Sequence, residues 1–240
     1  MEPRFVLLFS RAPCREAREK GLEGPAGELL FADFATGWTS AARRAGARVV
    51  LASEPADRPV WRRLFSGSSL LLIEQRGGSF GERLENAARD AAGYGGTFVV
   101  VGGDVAPSAA ILSEAFDLLE AGADCVLAPS PDGGVSLLSL RPEDFGLLRE
   151  IAPRRRDVFA RLRDRLSGRG RRIAVVSSAA DVDSRRQLRL LFRSLPGGPL
   201  RETVRGALSS GPVRFEPIRR SLQVPKGTTS TRFRAPPAAA

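Results

Sequence analysis

Short, continuously apolar runs recur along most of the chain, and stretches with helical spacing separate them. Arg4–Ser10, Ala47–Ala52, Leu70–Glu74, Thr97–Val101, Cys125–Ala128, Val135–Leu140 and Arg172–Val176 read as strands. Several lack the apolar–polar alternation of a strand with one wet face, which predicts burial on both faces. Ser79–Ala92 reads as a helix with Phe80, Leu84, Ala87, Ala88 and Ala91 on one face and with Ser79 and Glu82 spaced as a capping box. Ser108–Ala121 repeats the pattern with Ile111, Leu112, Ala115 and Leu119, begins at a Ser108 cap and stops at Gly122. Further helices are expected at Val158–Leu166 and Arg185–Arg193. This alternation predicts an α/β fold with a mostly parallel sheet between helices and a ligand site at the carboxyl ends of the strands.

From about Pro196 the periodic pattern gives way to Gly, Pro, Ser, Thr and Arg, and the chain ends in low complexity. One domain over residues 1–195 and a basic, partly disordered tail over 196–240 are expected. Charge follows the same division. The 240 residues carry a formal +10, of which residues 191–240, with nine basic and two acidic side chains, hold +7. The body is nearly balanced, so no nucleic-acid partner is expected of it and only the tail has the charge for one. Hydrophobic residues make up 42% of the chain, enough for a core of its own. No segment approaches the roughly 20 apolar residues of a membrane span. The run Phe5–Phe9 is also shorter than the ~7–15 apolar residues of a signal peptide. A cytoplasmic protein is expected.

Composition also limits the chemistry. Histidine is absent, which removes Ser-His-Asp and Cys-His catalysis, histidine-held zinc and any imidazole base. Cys14 and Cys125 are too few for a zinc cage or a disulfide scaffold. Carboxylates, arginines, hydroxyls, backbone groups and oxygen-held metals remain. The glycine-rich phosphate loops and the nucleophile elbow are missing.

Acidic residues stand where the strands end. Asp104 follows Thr97–Val101 through Gly102-Gly103 and precedes the helix at Ser108; it either holds a divalent cation against a diphosphate or makes an Asx-turn. Asp132-Gly133-Gly134 lies between two strands, as a simple turn or as a turn whose glycines let a ligand approach while Asp132 accepts from its hydroxyls. Asp181 and Asp183 follow the last strand. They supply a second metal ligand or a helix cap, a role that Ser184 with Gln187 also fits. Arg154-Arg155-Arg156 is a solvated face or a phosphate clamp.

Taken in order, these clusters resemble a known family. Gln75-Arg76-Gly77-Gly78-Ser79-Phe80-Gly81-Glu82-Arg83, Gly102-Gly103-Asp104, Pro131-Asp132-Gly133-Gly134 and Asp181-Val182-Asp183-Ser184 are similar to the landmarks of the bacterial glycosyltransferase-A-like family of arsenosugar-biosynthesis-type, or radical-SAM/selenodomain-associated, transferases. That family is itself similar to phospholactate guanylyltransferase. The resemblance spans Gln75 to Leu191 and implies a nucleotide-diphospho-sugar transferase (GT-A) fold. The departures fall at the N-terminal nucleotide loop: Arg11 stands for the family's first lysine, Glu16 for its glycine and Glu19-Lys20-Gly21 for Lys-Thr-Arg. Pro107 stands where the family has a second acid, and Val135 where it has tyrosine.

The resemblance implies sugar transfer from a nucleotide-diphosphate sugar to a small-molecule acceptor. Asp104 with Asp183 or Asp181 would hold Mg²⁺ or Mn²⁺, Asp132 would serve as base, and Arg11, Gly103, Gly133 and Gly134 would contact substrate. Two alternatives stand beside it. One is nucleotidyl transfer of the guanylyltransferase type. The other is a degenerate member that keeps the fold as a binding module.

Overall fold

All seven expected strands form: β1 (Arg4–Phe9), β2 (Ala47–Ser53), β3 (Leu71–Glu74), β4 (Thr97–Gly102), β5 (Cys125–Pro129), β6 (Val135–Ser139) and β7 (Ile173–Val175). The computed structural model describes residues 2–68, 70–152 and 155–209. The strands make one sheet in the order β3-β2-β1-β4-β6-β5-β7, parallel except where β6 runs antiparallel between β4 and β5. Eight α-helices are described: α1 (Pro13–Glu19), α2 (Pro25–Arg44), α3 (Arg58–Leu64), α4 (Phe80–Ala92), α5 (Ala109–Glu120), α6 (Val158–Ser167), α7 (Arg185–Ser194) and α8 (Pro199–Ser209). A 3₁₀ segment over Pro142–Glu150 lies between β6 and α6.

The unbroken apolar runs divide with a period of two, as side chains on a strand must. Val6, Leu8, Val99 and Val101 join one core with Trp38 and Ala42 of α2 and with Leu112 and Phe116 of α5. Phe5, Leu7 and Val100 join a second core under Leu84 and Ala88 of α4, Phe145 of the 3₁₀ segment and Leu162 of α6. Each fully buried side chain of this size contributes roughly 1.5–3 kcal/mol, so the two-sided burial of β1 and β4 anchors the sheet. The register sets Leu7 between Val50 and Val100, and Phe9 between Ala52 and Gly102. The carboxyl ends of β1, β2 and β4 therefore finish level with one another, and the loops that leave them meet.

A third core joins the elements that carry the loops. Ala17 of α1, Leu30 and Phe34 of α2, Val182, Leu188 of α7 and Val204 of α8 pack together. Helix α8 falls inside the stretch expected to be a tail. It packs on α2 through Val204 and Ala207, both buried, and the Thr203 hydroxyl donates to Asp33. The glycines and prolines at 196–199 mark the linker into this helix; the folded unit runs past residue 195. The remainder of that stretch, 210–240, lies outside the described residues. No helix among the described residues is long and apolar enough to cross a membrane.

Candidate active site

A cavity of about 570 Å³ opens at the carboxyl edge of the sheet, over the ends of β1, β4 and β6. Its acidic wall is assembled by backbone pairing. Val105 and Asp181 form an isolated antiparallel bridge; the Ala106 amide donates to Ala180 at 2.8 Å and the Val182 amide to the Asp104 carbonyl at 2.9 Å. The Val105 carbonyl is held in turn by the Trp38 indole N–H at 2.8 Å. The segment after β7 is thereby laid against the loop after β4, and four carboxylates from three loops converge.

Asp132, Asp181 and Asp183 each offer one oxygen, all within 4.8 Å of one another. The Gly134 amide donates to Asp132 Oδ1 at 2.9 Å, and the turn is closed by Ser130 and Gly134. The Ser130 hydroxyl donates to Asp181 Oδ2, while Asp181 Oδ1 is buried with no hydrogen-bond partner among the described residues. Burial, with Asp183, Asp132 and Asp104 nearby, pushes the Asp181 carboxyl up to about 6 against the pull of Ser130. Capping falls to Ser184, whose hydroxyl accepts from the Gln187 amide while Gln187 Oε1 accepts from the Asp183 amide at 2.9 Å. The Asp183 carboxylate is left to face the cluster.

Asp104 stands apart from that triad and meets a cation supplied by the chain. Lys20, just past α1, donates to Asp104 Oδ2 at 2.6 Å and also to Asp183. Burial works against the Lys20 charge, but Asp104 and Asp183 outweigh it and hold the ammonium above the usual lysine range. Glu16, buried beneath, lies 3.7 Å from Lys20 and 3.6 Å from Arg11. Burial and Asp104 push its carboxyl up to about 7, with Lys20 and Arg11 pulling down.

The loop expected to cradle phosphate is therefore mostly a short helix with its charges engaged. Asp57 accepts from the Ala12 amide at 2.8 Å, and Arg15 binds Glu54 at 2.7 Å and Asp57 at 3.1 Å. Arg11 lines the cavity. Gly134 lines it as well, whereas Gly103 and Gly133 lie behind the wall and serve close backbone packing. A Cβ on Gly103 would come within 2.0 Å of Ser10 Oγ, and one on Gly133, where φ is +92°, within 1.9 Å of the Arg156 carbonyl oxygen. Of the arginine run, Arg155 and Arg156 line the cavity, Arg155 also pairing with Asp157 at 2.8 Å; Arg154 lies outside the described residues.

Two residues of the Gln75–Arg83 motif have structural tasks. Gln75 is buried and donates to the carbonyls of Ala52 at 2.9 Å and Ser10 at 3.3 Å, tying the strand ends together. Glu82 completes the capping box of α4. Sequence reasoning missed the junction of Lys20 with Asp104 and Asp183. The signal available was that Lys20 is one of only two lysines in an arginine-rich chain.

Residues 38–160 match a family described as an uncharacterized protein conserved in bacteria, DUF2064. The chain belongs to that family. No protein of curated function matches the sequence. Among solved structures, a candidate nucleotide-diphospho-sugar transferase from Desulfovibrio desulfuricans G20 is similar, with a TM-score of 0.73 and 21% identity over 85% of this chain and 95% of that one. A candidate glucose-1-phosphate thymidylyltransferase from Bacillus anthracis, solved with sucrose, gives 0.55 at 14% identity over 83% and 99%. A Mycobacterium tuberculosis protein in complex with manganese gives 0.51 at 18% identity over 81% and 100%. These likenesses fix the architecture: the DUF2064 chain has the nucleotide-diphospho-sugar transferase fold.

Proposed function

We propose that this DUF2064 chain is a metal-dependent transferase that takes a nucleotide-diphosphate sugar as donor and passes the sugar to a small-molecule acceptor. The observation that carries the reading is the convergence of Asp132, Asp181 and Asp183, together with a buried Asp181 oxygen that has no hydrogen-bond partner among the described residues, at the edge of the sheet where this architecture takes ligands. An all-oxygen set with an orphaned buried acceptor suits a hard divalent cation, Mg²⁺ or Mn²⁺. When bound, such an ion would neutralise charge on the leaving diphosphate. In this reading Asp132 is a ligand instead of a base, Asp104 holds Lys20, and Arg11 meets a phosphate. The motif order shared with arsenosugar-biosynthesis-type transferases supports the same donor class.

Incubation with nucleotide-diphosphate sugars and with nucleoside triphosphates, each with Mn²⁺ or Mg²⁺, tests it through the leaving group. Nucleoside diphosphate released from a sugar donor, and lost in Asp183→Ala, is the expected result. Pyrophosphate released from a triphosphate would show nucleotidyl transfer in its place. A second reading, a binding module without catalysis, is favoured by Lys20, which already neutralises Asp104 and Asp183 without a metal. Nucleotide binding unchanged by chelator, with no product from any donor, would establish it.

A further inference from the structure

The cavity is divided chemically along its length. Glu19, Lys20, Asp104, Asp132, Asp181 and Asp183 gather at one end. The other end is walled by Phe80, Leu84, Val135, Leu138, Ile151 and Val158. Phe80 stands edge-on to Phe9, their ring centroids 5.4 Å apart. Polar side chains are few among the described residues of this half. The Ser136 hydroxyl is turned to the Ala128 carbonyl at 3.4 Å. Arg155 is tied to Asp157, and Arg156 has no ion-pair partner among the described residues.

A sugar or other polyol seated here would leave its hydroxyls unpaired against hydrocarbon, which costs binding energy for each one. An apolar body would lose no such bonds and would gain the burial. The charge is equally selective. The Arg156 carbonyl abuts Gly133, so this arginine stands at the junction of the two ends, beside the Asp132–Gly134 turn. Of the cationic side chains that line the cavity, Arg156 is the one without an ion-pair partner among the described residues, which leaves it for an anionic head seated beside the turn that carries Asp132.

The geometry points to an amphipathic anion as the acceptor: an isoprenoid- or alkyl-sized apolar chain bearing one phosphate or carboxylate. The chain lies along Phe80, Leu84, Ile151 and Val158, and the head lies at Arg156, next to the donor end. Its role as acceptor rests on the transferase reading, but its binding does not, since the apolar end is formed without nucleotide or metal.

Calorimetric titration of the full chain, in chelator and without nucleotide, tests it with geranyl monophosphate, inorganic phosphate, geraniol and glucose 1-phosphate. Geranyl monophosphate is expected to bind at least tenfold more tightly than each of the other three. Arg156→Ala is expected to weaken it about tenfold, and Val135→Gln or Ile151→Gln, two independent polar replacements of the wall, by a similar factor. Glucose 1-phosphate binding as tightly as geranyl monophosphate would overturn the assignment, and so would affinity unchanged in Arg156→Ala and in whichever wall variants fold. Either failure leaves the donor experiment standing, because no nucleotide is present.

Discussion

Lys20 is the residue on which the acidic wall turns. Its ammonium is mostly buried and shared by Asp104 and Asp183, so removing it leaves two carboxylates facing each other across a partly dry site. Lys20→Met is expected to lower metal-free stability by about 1–3 kcal/mol, less than for a fully buried pair because both acids are partly exposed. Mn²⁺ should then stabilise the variant more than the parent, read as the shift in melting temperature. An equal shift in both would show that Lys20 does not share the cation's place. Glu16 gives a pH signature. Its folded value, about 7, lies above the ordinary 4.5, so between those values the folded state keeps a proton that the unfolded chain releases. Stability should fall as pH rises from about 5 to 7.5, by on the order of 2 kcal/mol, with Asp181 adding in the same direction. Glu16→Gln should flatten most of that slope in denaturant unfolding at a series of pH values; a slope unchanged in the variant would assign the proton elsewhere.

Among the elements, α4 shows how a motif can be structural. Its Ser79 cap and Glu82 reciprocal bond are formed as spaced in the sequence, and Gly81 lets the helix lie against the 3₁₀ segment. A Cβ there would sit 2.4 Å from the Arg149 carbonyl oxygen, so Gly81→Ala should cost about 1–3 kcal/mol in chemical denaturation while leaving metal affinity unchanged. The strands were legible because each is a short apolar run with both faces covered, and the caps at Ser79 and Ser108 because their chemistry is local. Helix α2 was not read. Its stripe Leu30, Phe34, Trp38, Ala41 is regular, but Gly27, Gly37, Thr36 and Thr39 lower the local helical preference. Tertiary packing decides it: Gly37 accepts close contact with Pro107, and Trp38 reaches the Val105 carbonyl. The acids at Asp104, Asp132, Asp181 and Asp183 were legible as strand-end residues. Their partition between Lys20 and the triad was not, because it depends on the bridge between Val105 and Asp181, a pairing 76 positions apart in the numbering of the chain.

At the scale of the molecule, the fold is a sheet with two cores and a third that fastens the site-bearing loops. That third core includes α8, so the body ends later than a composition change suggests. Val204→Asp tests the extent of the folded unit: burying a carboxylate against α2 should cost 3 kcal/mol or more, roughly, where a position in a free tail would be neutral. The chain as a whole offers an acidic edge, a cavity and an apolar annex, with charges from the first loop turned inward. What remains central is whether that edge takes a nucleotide together with a metal. The direct measurement is thermal stabilisation of the full chain by UDP-, GDP-, ADP- and TDP-sugars and by nucleoside triphosphates, each with Mn²⁺, with Mg²⁺ and with chelator. A ligand at about 100 times its dissociation constant adds about 2.7 kcal/mol. The account predicts a shift of that size for one sugar nucleotide with metal, abolished by chelator and by Asp181→Asn. No shift with any nucleotide, or one indifferent to both metal and Asp181, would contradict it.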